Sequence, residues 1–232
     1  CFPVAEAFAQ GDGQRYFQRS DASELSYTRA DSLRGGVTAE RAWWDVTYYH
    51  LQVTVDIDAR SLSGVNQMQY RVRESLDEQT ARLMQLSGVD AVDVISARNA
   101  GRLQIDLQAP MQLVSALQQG RSLNVEQYGS AWFISGVDTD LGVHAIDLVF
   151  EGQPVVAANP PWDGGITWPE DSAGRPFVAS ANQGIGASIW WPNKDHPWDE
   201  PDSMRISVRL PDSLMNVSNG HLLQVEQHGD GT

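Results

Sequence analysis

Hydrolytic or metal chemistry in this chain would have to be built from five histidines, one cysteine and a few clustered carboxylates. The histidines are His50, His144, His196, His221 and His228, and no two of them stand three or four residues apart. A helical His-Glu-x-x-His zinc site needs both imidazoles on one helix face, so that site is absent from the sequence. His221 and His228 are seven residues apart in a stretch that reads as a strand, which would point them to opposite faces. Cys1 has no second cysteine to pair with, and no Gly-x-Ser-x-Gly elbow presents a serine nucleophile. Gly184-Ile185-Gly186 lacks the third glycine and the strand–helix setting of a dinucleotide loop. The pairs Glu170/Asp171 and Asp199/Glu200 are of the type used for general acid–base work, but adjacent acids on loops more commonly face water or cap a turn. No catalytic constellation is assembled from these residues. What stands out is aromatic: of eight tryptophans, Trp162, Trp168, Trp190, Trp191 and Trp198 fall within one irregular stretch, where exposed indoles would stack on sugars or peptide side chains.

The elements that position these residues read as strands. Tyr49, Leu51, Val53, Val55 and Ile57 alternate with His50, Gln52, Thr54 and Asp56, the period of a strand with one buried face. Ser61-Leu62-Ser63-Gly64 reads as the turn of an antiparallel hairpin, whose second strand resumes the alternation at Met68, Tyr70 and Val72. Further short runs predict strands at Leu83–Leu86, Val89–Ile95, Leu103–Leu107, Leu123–Val125, Ala131–Ile134, Ile146–Phe150 and Met204–Leu210. With no 3.6-residue period sustained beyond a turn or two, the expected fold is all-β: a saddle-shaped or sandwich-like antiparallel domain with one long irregular loop region. That region runs from Glu151 to about Asp202, dense in proline, glycine and tryptophan, and long loops of this kind are usually functional.

The 16 basic residues against 30 acidic ones leave a net charge of −14, with the arginines scattered from Arg15 to Arg209 and Lys194 the single lysine. No basic stripe is available to neutralise phosphates, which excludes nucleic-acid binding as the main activity. At 41% hydrophobic content a chain of 232 residues can build a core without disulfides or a structural metal. No run approaches the length of about 18 apolar residues that a membrane-spanning helix needs. Ala7-Phe8-Ala9 followed by Gln10 reads as a signal-cleavage site, so residues 1–9 are expected to be a signal-peptide remnant, with a lipidated Cys1 as the rival reading. Either implies export, and the membrane becomes a partner only in the lipidated case. Residues 10–40 read as a polar leader and 41–232 as the β-domain, with Gly229-Asp230-Gly231 as a hairpin turn whose second strand is missing.

One stretch carries a family resemblance. Gln183-Gly184-Ile185-Gly186-Ala187-Ser188-Ile189-Trp190-Trp191-Pro192-Asn193-Lys194-Asp195-His196-Pro197-Trp198-Asp199-Glu200-Pro201-Asp202-Ser203 resembles a loop in the N-terminal domain of the aminopeptidase N-like zinc metallopeptidases, in the bacterial branch that writes Trp-Trp-Pro-Asn-Lys-Asp. Tyr48–Asp56 with Ser63-Gly64 is similar to that family's opening hairpin, and Pro160-Pro161-Trp162-Asp163-Gly164-Gly165-Ile166-Thr167-Trp168 resembles a further loop of the branch. The resemblance implies a non-catalytic N-terminal domain of an exported zinc aminopeptidase. Such a domain packs on a thermolysin-like catalytic domain, closes one side of its active site and contacts peptide substrates. It also implies that zinc and the catalytic residues lie in that other domain, leaving this stretch inactive alone. Gln183 is the residue it assigns to the substrate's free α-amino group, for which an amide carbonyl suits because an ammonium offers only donors. Ile185 stands where the family's acidic residue is expected.

The alternative reading is a tryptophan-rich carbohydrate-binding sandwich. A glycan platform requires coplanar exposed indoles. The peptidase reading instead buries Trp190 or Trp191 and exposes Gln183 beside an apolar face. Asp199 is expected to cap a turn that aims the chain into Met204–Leu210, and Lys194 to pair at an exposed site with Asp195 or Asp199.

Overall fold

The computed structural model describes residues 28–232. The signal remnant or lipidated cysteine expected at residues 1–9, and the leader as far as residue 27, lie outside them. From residue 28 the leader is helical. Thr28 and Asp31 form a reciprocal capping box at the start of α1 (Arg29–Gly35), and a single turn, α2 (Ala39–Ala42), follows.

The longest strands are β1 (Trp44–Asp56) and β2 (Ser61–Val72), paired antiparallel as the alternation predicts. A bulge between Val46 and Tyr48 switches the buried face from Trp44 and Val46 to Tyr49, Leu51 and Val53, which is why the clean alternation begins only at Tyr49. The turn sits earlier than expected. Asp56 and Ser61 pair across it, Arg60 takes a positive φ of 49°, and Ser61–Gly64 belong to β2 itself.

Two of the predicted strands are helices. Leu83–Leu86 lies in α3 (Glu78–Leu86), and Val89–Ile95 runs into α4 (Ala91–Asn99). Each starts at an aspartate whose side chain accepts from the first turn: Asp77 from Thr80 N at 2.7 Å, and Asp90 from Val92 N and Asp93 N at 2.8 and 3.0 Å. Only a narrow stripe is buried, Thr80 and Met84 in α3 and Val94 and Ala97 in α4, so the residues between them mimic a strand pattern.

The remaining strands are β3 (Arg102–Asp106), β4 (Gln112–Gln118), β5 (Arg121–Ser122), β6 (Asn124–Tyr128), β7 (Ala131–Ser135), β8 (Gly142–Gly152), β9 (Gly165–Thr167), β10 (Ala179–Ala181) and β11 (Ser203–Arg209). They form a six-stranded sheet in the order β11-β1-β2-β8-β4-β5, a three-stranded sheet β3-β7-β6 and a small pair β10-β9. The predominantly antiparallel β architecture is the one the sequence predicts. The exception is β11, which returns from the irregular segment to lie parallel to β1. One core joins the two larger sheets and α2–α4, with Trp44, Leu51, Met68, Tyr70, Leu103, Ile105, Ile134 and Phe150 among its fully buried side chains. The stretch holding His221 and His228 has no regular structure; His228 N donates to Thr232 O at 2.9 Å across Gly229-Asp230-Gly231, and Asp230 pairs with Arg209.

At Gly64 the β1–β2 pairing leaves no room for a side chain, because an added Cβ would fall 2.1 Å from the Gln52 carbonyl oxygen. Gly64→Ala is expected to destabilise the domain by about 1–3 kcal/mol, measured by chemical denaturation, as overpacking of a filled site does.

Candidate functional site

The long segment between β8 and β11 is pinned to the core through a buried carboxylate. Asp106, at the end of β3, pairs backbone to backbone with Asn193, its N–H donating to Asn193 O at 2.8 Å and its carbonyl accepting from Asn193 N at 3.1 Å. Its side chain is fully buried against the guanidinium of Arg41, which is equally buried. The carboxylate also accepts from Gln104 Nε2 at 3.3 Å and from Asp195 N at 3.2 Å. Burial pushes the Asp106 pKa up, and Arg41 opposes that shift.

A second buried pair follows in the same segment. The Lys194 ammonium donates to Trp44 O at 2.7 Å and to the Asp199 carboxylate. It lies 3.9 Å from the Trp44 ring centroid and 4.3 Å from that of Trp198, between two indole faces. Both charged side chains are buried, so this is neither the exposed pair nor the simple turn cap that the sequence predicts. Burial lowers the lysine pKa to about 8 and raises that of Asp199, while each partner opposes the shift of the other. Lys194 N also donates to Tyr49 OH at 3.0 Å, and burial raises the Tyr49 hydroxyl pKa well above its usual range.

Between these anchors and β10 the chain turns tightly. Asn182 O accepts from Ile185 N at 3.2 Å and Gly186 N at 2.9 Å, which sets Gln183 and Gly184 at the tip. Gly184 and Gly186 take positive φ of 78° and 87°, and a Cβ on Gly186 would lie 2.0 Å from the Asp195 carboxylate. A 3-10 turn, Ala187–Ile189, then delivers Ser188, whose hydroxyl donates to Asp195 Oδ2 at 2.5 Å and accepts from Gln108 Nε2 at 2.9 Å. Gln183 stands exposed. Ile185 packs on the Pro160–Gly165 loop, for a Cβ on Gly164 would fall 1.8 Å from Ile185 Cγ2.

The tryptophans form no platform among the described residues. Trp191 is buried against Tyr49 with rings edge to face at 5.1 Å, Trp190 is tilted 59° from Trp191, and Trp198 donates to Thr80 Oγ1 at 3.0 Å. Trp162 is the exposed one of the five, at 85%. Beside it in sequence, Pro160 and Pro161 line an apolar cleft of about 410 Å³ together with Val156, Trp168, Phe177 and Ala179. Among the described residues no group of three or more His, Cys, Asp or Glu side chains could hold a metal ion.

Sequence reasoning missed Arg34, Arg41, Asp106 and Gln108, whose partners are distant along the chain. For Lys194 there was a usable signal, the single lysine of an arginine-rich sequence set among tryptophans.

The fold has counterparts among solved structures. An M1 zinc metallopeptidase from Deinococcus radiodurans matches over 82% of this chain and 37% of its own, at TM-score 0.57 and 20% identity. A two-domain M1 zinc metallopeptidase bound to L-arginine matches over 82% and 38%, at TM-score 0.56 and 21% identity. Leukotriene A4 hydrolase from Saccharomyces cerevisiae matches over 84% and 26%, at TM-score 0.52 and 14% identity. This chain therefore shares its fold with part of those enzymes and spans less than two fifths of their length. No protein-family model matches it, and no curated protein does.

Two outcomes are expected here. Lys194→Met leaves Asp199 buried without its partner and should cost about 3–5 kcal/mol in denaturation, whereas Lys194→Met with Asp199→Leu should recover most of that loss. His196, partly buried and close to Arg41 and Lys194, has its pKa lowered chiefly by burial and then by the Arg41 charge, against a Gly35 backbone hydrogen bond and Asp195. Because the folded pKa is depressed, the unfolded chain takes up this proton first as pH falls below about 6.5. Unfolding free energies should therefore drop below that pH in the native protein, and by less in His196→Gln.

Proposed function

We propose that this chain is the non-catalytic β-domain of an exported M1-type zinc aminopeptidase, in which Gln183 helps to bind the substrate's free N-terminus. The observation that carries the reading is the placement of Gln183. The segment that resembles the peptidase loop is the one that two buried ion pairs fasten to the core, and it begins in a glycine-containing turn with Gln183 exposed at its tip. The fold shared with M1 zinc metallopeptidases supports it, and so does the solved complex of one of them with L-arginine, a free amino acid. Export rests on the Ala7-Phe8-Ala9 pattern.

In this role Gln183 Oε1 accepts a hydrogen bond from the substrate ammonium, and the rigid turn reduces the ordering cost of that contact. Ile185 is turned to the Gly164 backbone, so the turn itself offers an amide and no carboxylate at that position. Any negative charge facing the amine is supplied by the partner, a catalytic domain that also carries the zinc. The zinc, when bound there, polarises the scissile carbonyl and activates water. This chain's contribution is positioning of the substrate end.

A titration followed by NMR tests the reading. L-leucinamide should shift the Gln183 side-chain amide with an affinity in the millimolar range, about 1 mM or weaker for one polar contact. N-acetyl-leucinamide should leave it unmoved, and in Gln183→Ala the accompanying shifts of the Gly184 and Gly186 backbone amides should be lost. Equal shifts from both ligands would rule out amine recognition at this turn.

A further inference from the structure

We infer that Arg34 is a positioning residue for the Gln183 turn, acting with Gln108 by gripping the Ile185 carbonyl, an inference that rests on the amine-binding reading only for its functional consequence. Ile185 O accepts from Arg34 Nη2, on the last turn of α1, and from Gln108 Nε2 at 2.8 Å. Two donors from elements far apart in the chain thus converge on the carbonyl of the Ile185–Gly186 peptide, whose N–H closes the turn on Asn182 O. Gln183 itself makes no side-chain hydrogen bond among the described residues, so its direction is set by the backbone that carries it.

The grip is anchored at both ends. Arg41 Nη1 donates to Arg34 O at 3.2 Å and to Gly36 O at 2.6 Å, tying the end of α1 to the buried Arg41–Asp106 pair. Gln108 is nine-tenths buried and donates to Ser188 Oγ as well, and its backbone N–H donates to Ser188 O at 2.8 Å. On the opposite side the Ile185 side chain bears on Gly164. The turn is therefore held from α1, from the chain following β3 and from the Pro160–Gly165 loop.

Core packing does not account for α1. None of its residues is buried, yet it has a complete capping box and a C-terminal bond from Gly36 N to Ser32 O at 2.9 Å. A helix that contributes no buried side chain to the core but directs a guanidinium at a backbone carbonyl of the turn acts as a clamp. Loss of the Arg34 head group should accordingly loosen the turn and leave the sheets intact.

Amide hydrogen exchange by NMR on the 232-residue chain reads this directly. In Arg34→Met the Ile185 and Gly186 amides, which donate to Asn182 O, should exchange about tenfold faster, as loss of a charge-assisted hydrogen bond implies. Leu51 and Met68 in the central strands should keep their protection. Arg34→Lys, which retains a donor, should restore part of the slow exchange, and leucinamide affinity should fall in Arg34→Met and return with Arg34→Lys. Unchanged exchange at Ile185 and Gly186 in Arg34→Met would overturn the clamp, and so would an equal loss of protection throughout the sheet. Exchange that follows Arg34 in a protein that never binds leucinamide would leave the clamp standing and remove the amine reading.

Discussion

A carboxylate with no access to water is costly to bury, and Asp106 is tolerated because its surroundings replace that water nearly bond for bond. Arg41 supplies a paired charge, Gln104 and the Asp195 backbone supply further donors, and the Asp106 backbone binds Asn193 in both directions. This one residue joins three parts of the chain that sequence separates: the α1–α2 leader through Arg41, the smaller sheet through β3, and the irregular segment through Asn193 and Asp195. The Gln183 turn, the 3-10 turn and the Lys194 site all hang from the strand-like contact that it makes.

The Lys194 site completes the attachment and explains why a lysine stands there in an arginine-rich protein. A compact ammonium fits between the Trp44 and Trp198 faces while donating to Trp44 O and Asp199. A planar guanidinium would have to stack on the indoles and could not project its donors in the same directions. The two buried pairs face different elements, Arg41–Asp106 the leader and Lys194–Asp199 the start of β1, so the segment is fixed at two points and cannot swing about either. That attachment gives an exposed turn a defined direction, which the proposed ammonium contact requires.

Legibility from sequence divides along the range of the interactions. The β1–β2 hairpin was readable because one face is buried residue after residue, although the bulge at Thr47 and the turn at Ile57–Arg60 were not. Strands β3, β7, β8 and β11 are marked by local apolar runs, whereas α3 and α4 read as strands because only two residues of each are buried and their helical signal is confined to the Asp77 and Asp90 caps. The irregular segment between β8 and β11, with its dense proline, glycine and tryptophan, could be read from composition. Arg34, Arg41, Asp106 and Gln108 could not, for nothing local in a sequence indicates that Arg34 and Ile185, 151 residues apart, share a hydrogen bond.

The proposed role in an aminopeptidase is tested most directly on the protein encoded by the whole gene. Purified and supplied with aminoacyl anilides, that protein should release free N-terminal residues, lose the activity to a chelator and recover it with zinc. It should discriminate against N-acetylated substrates. A full-length protein that is inert toward aminoacyl anilides with zinc present, or that cleaves them equally when their amines are blocked, would contradict the account.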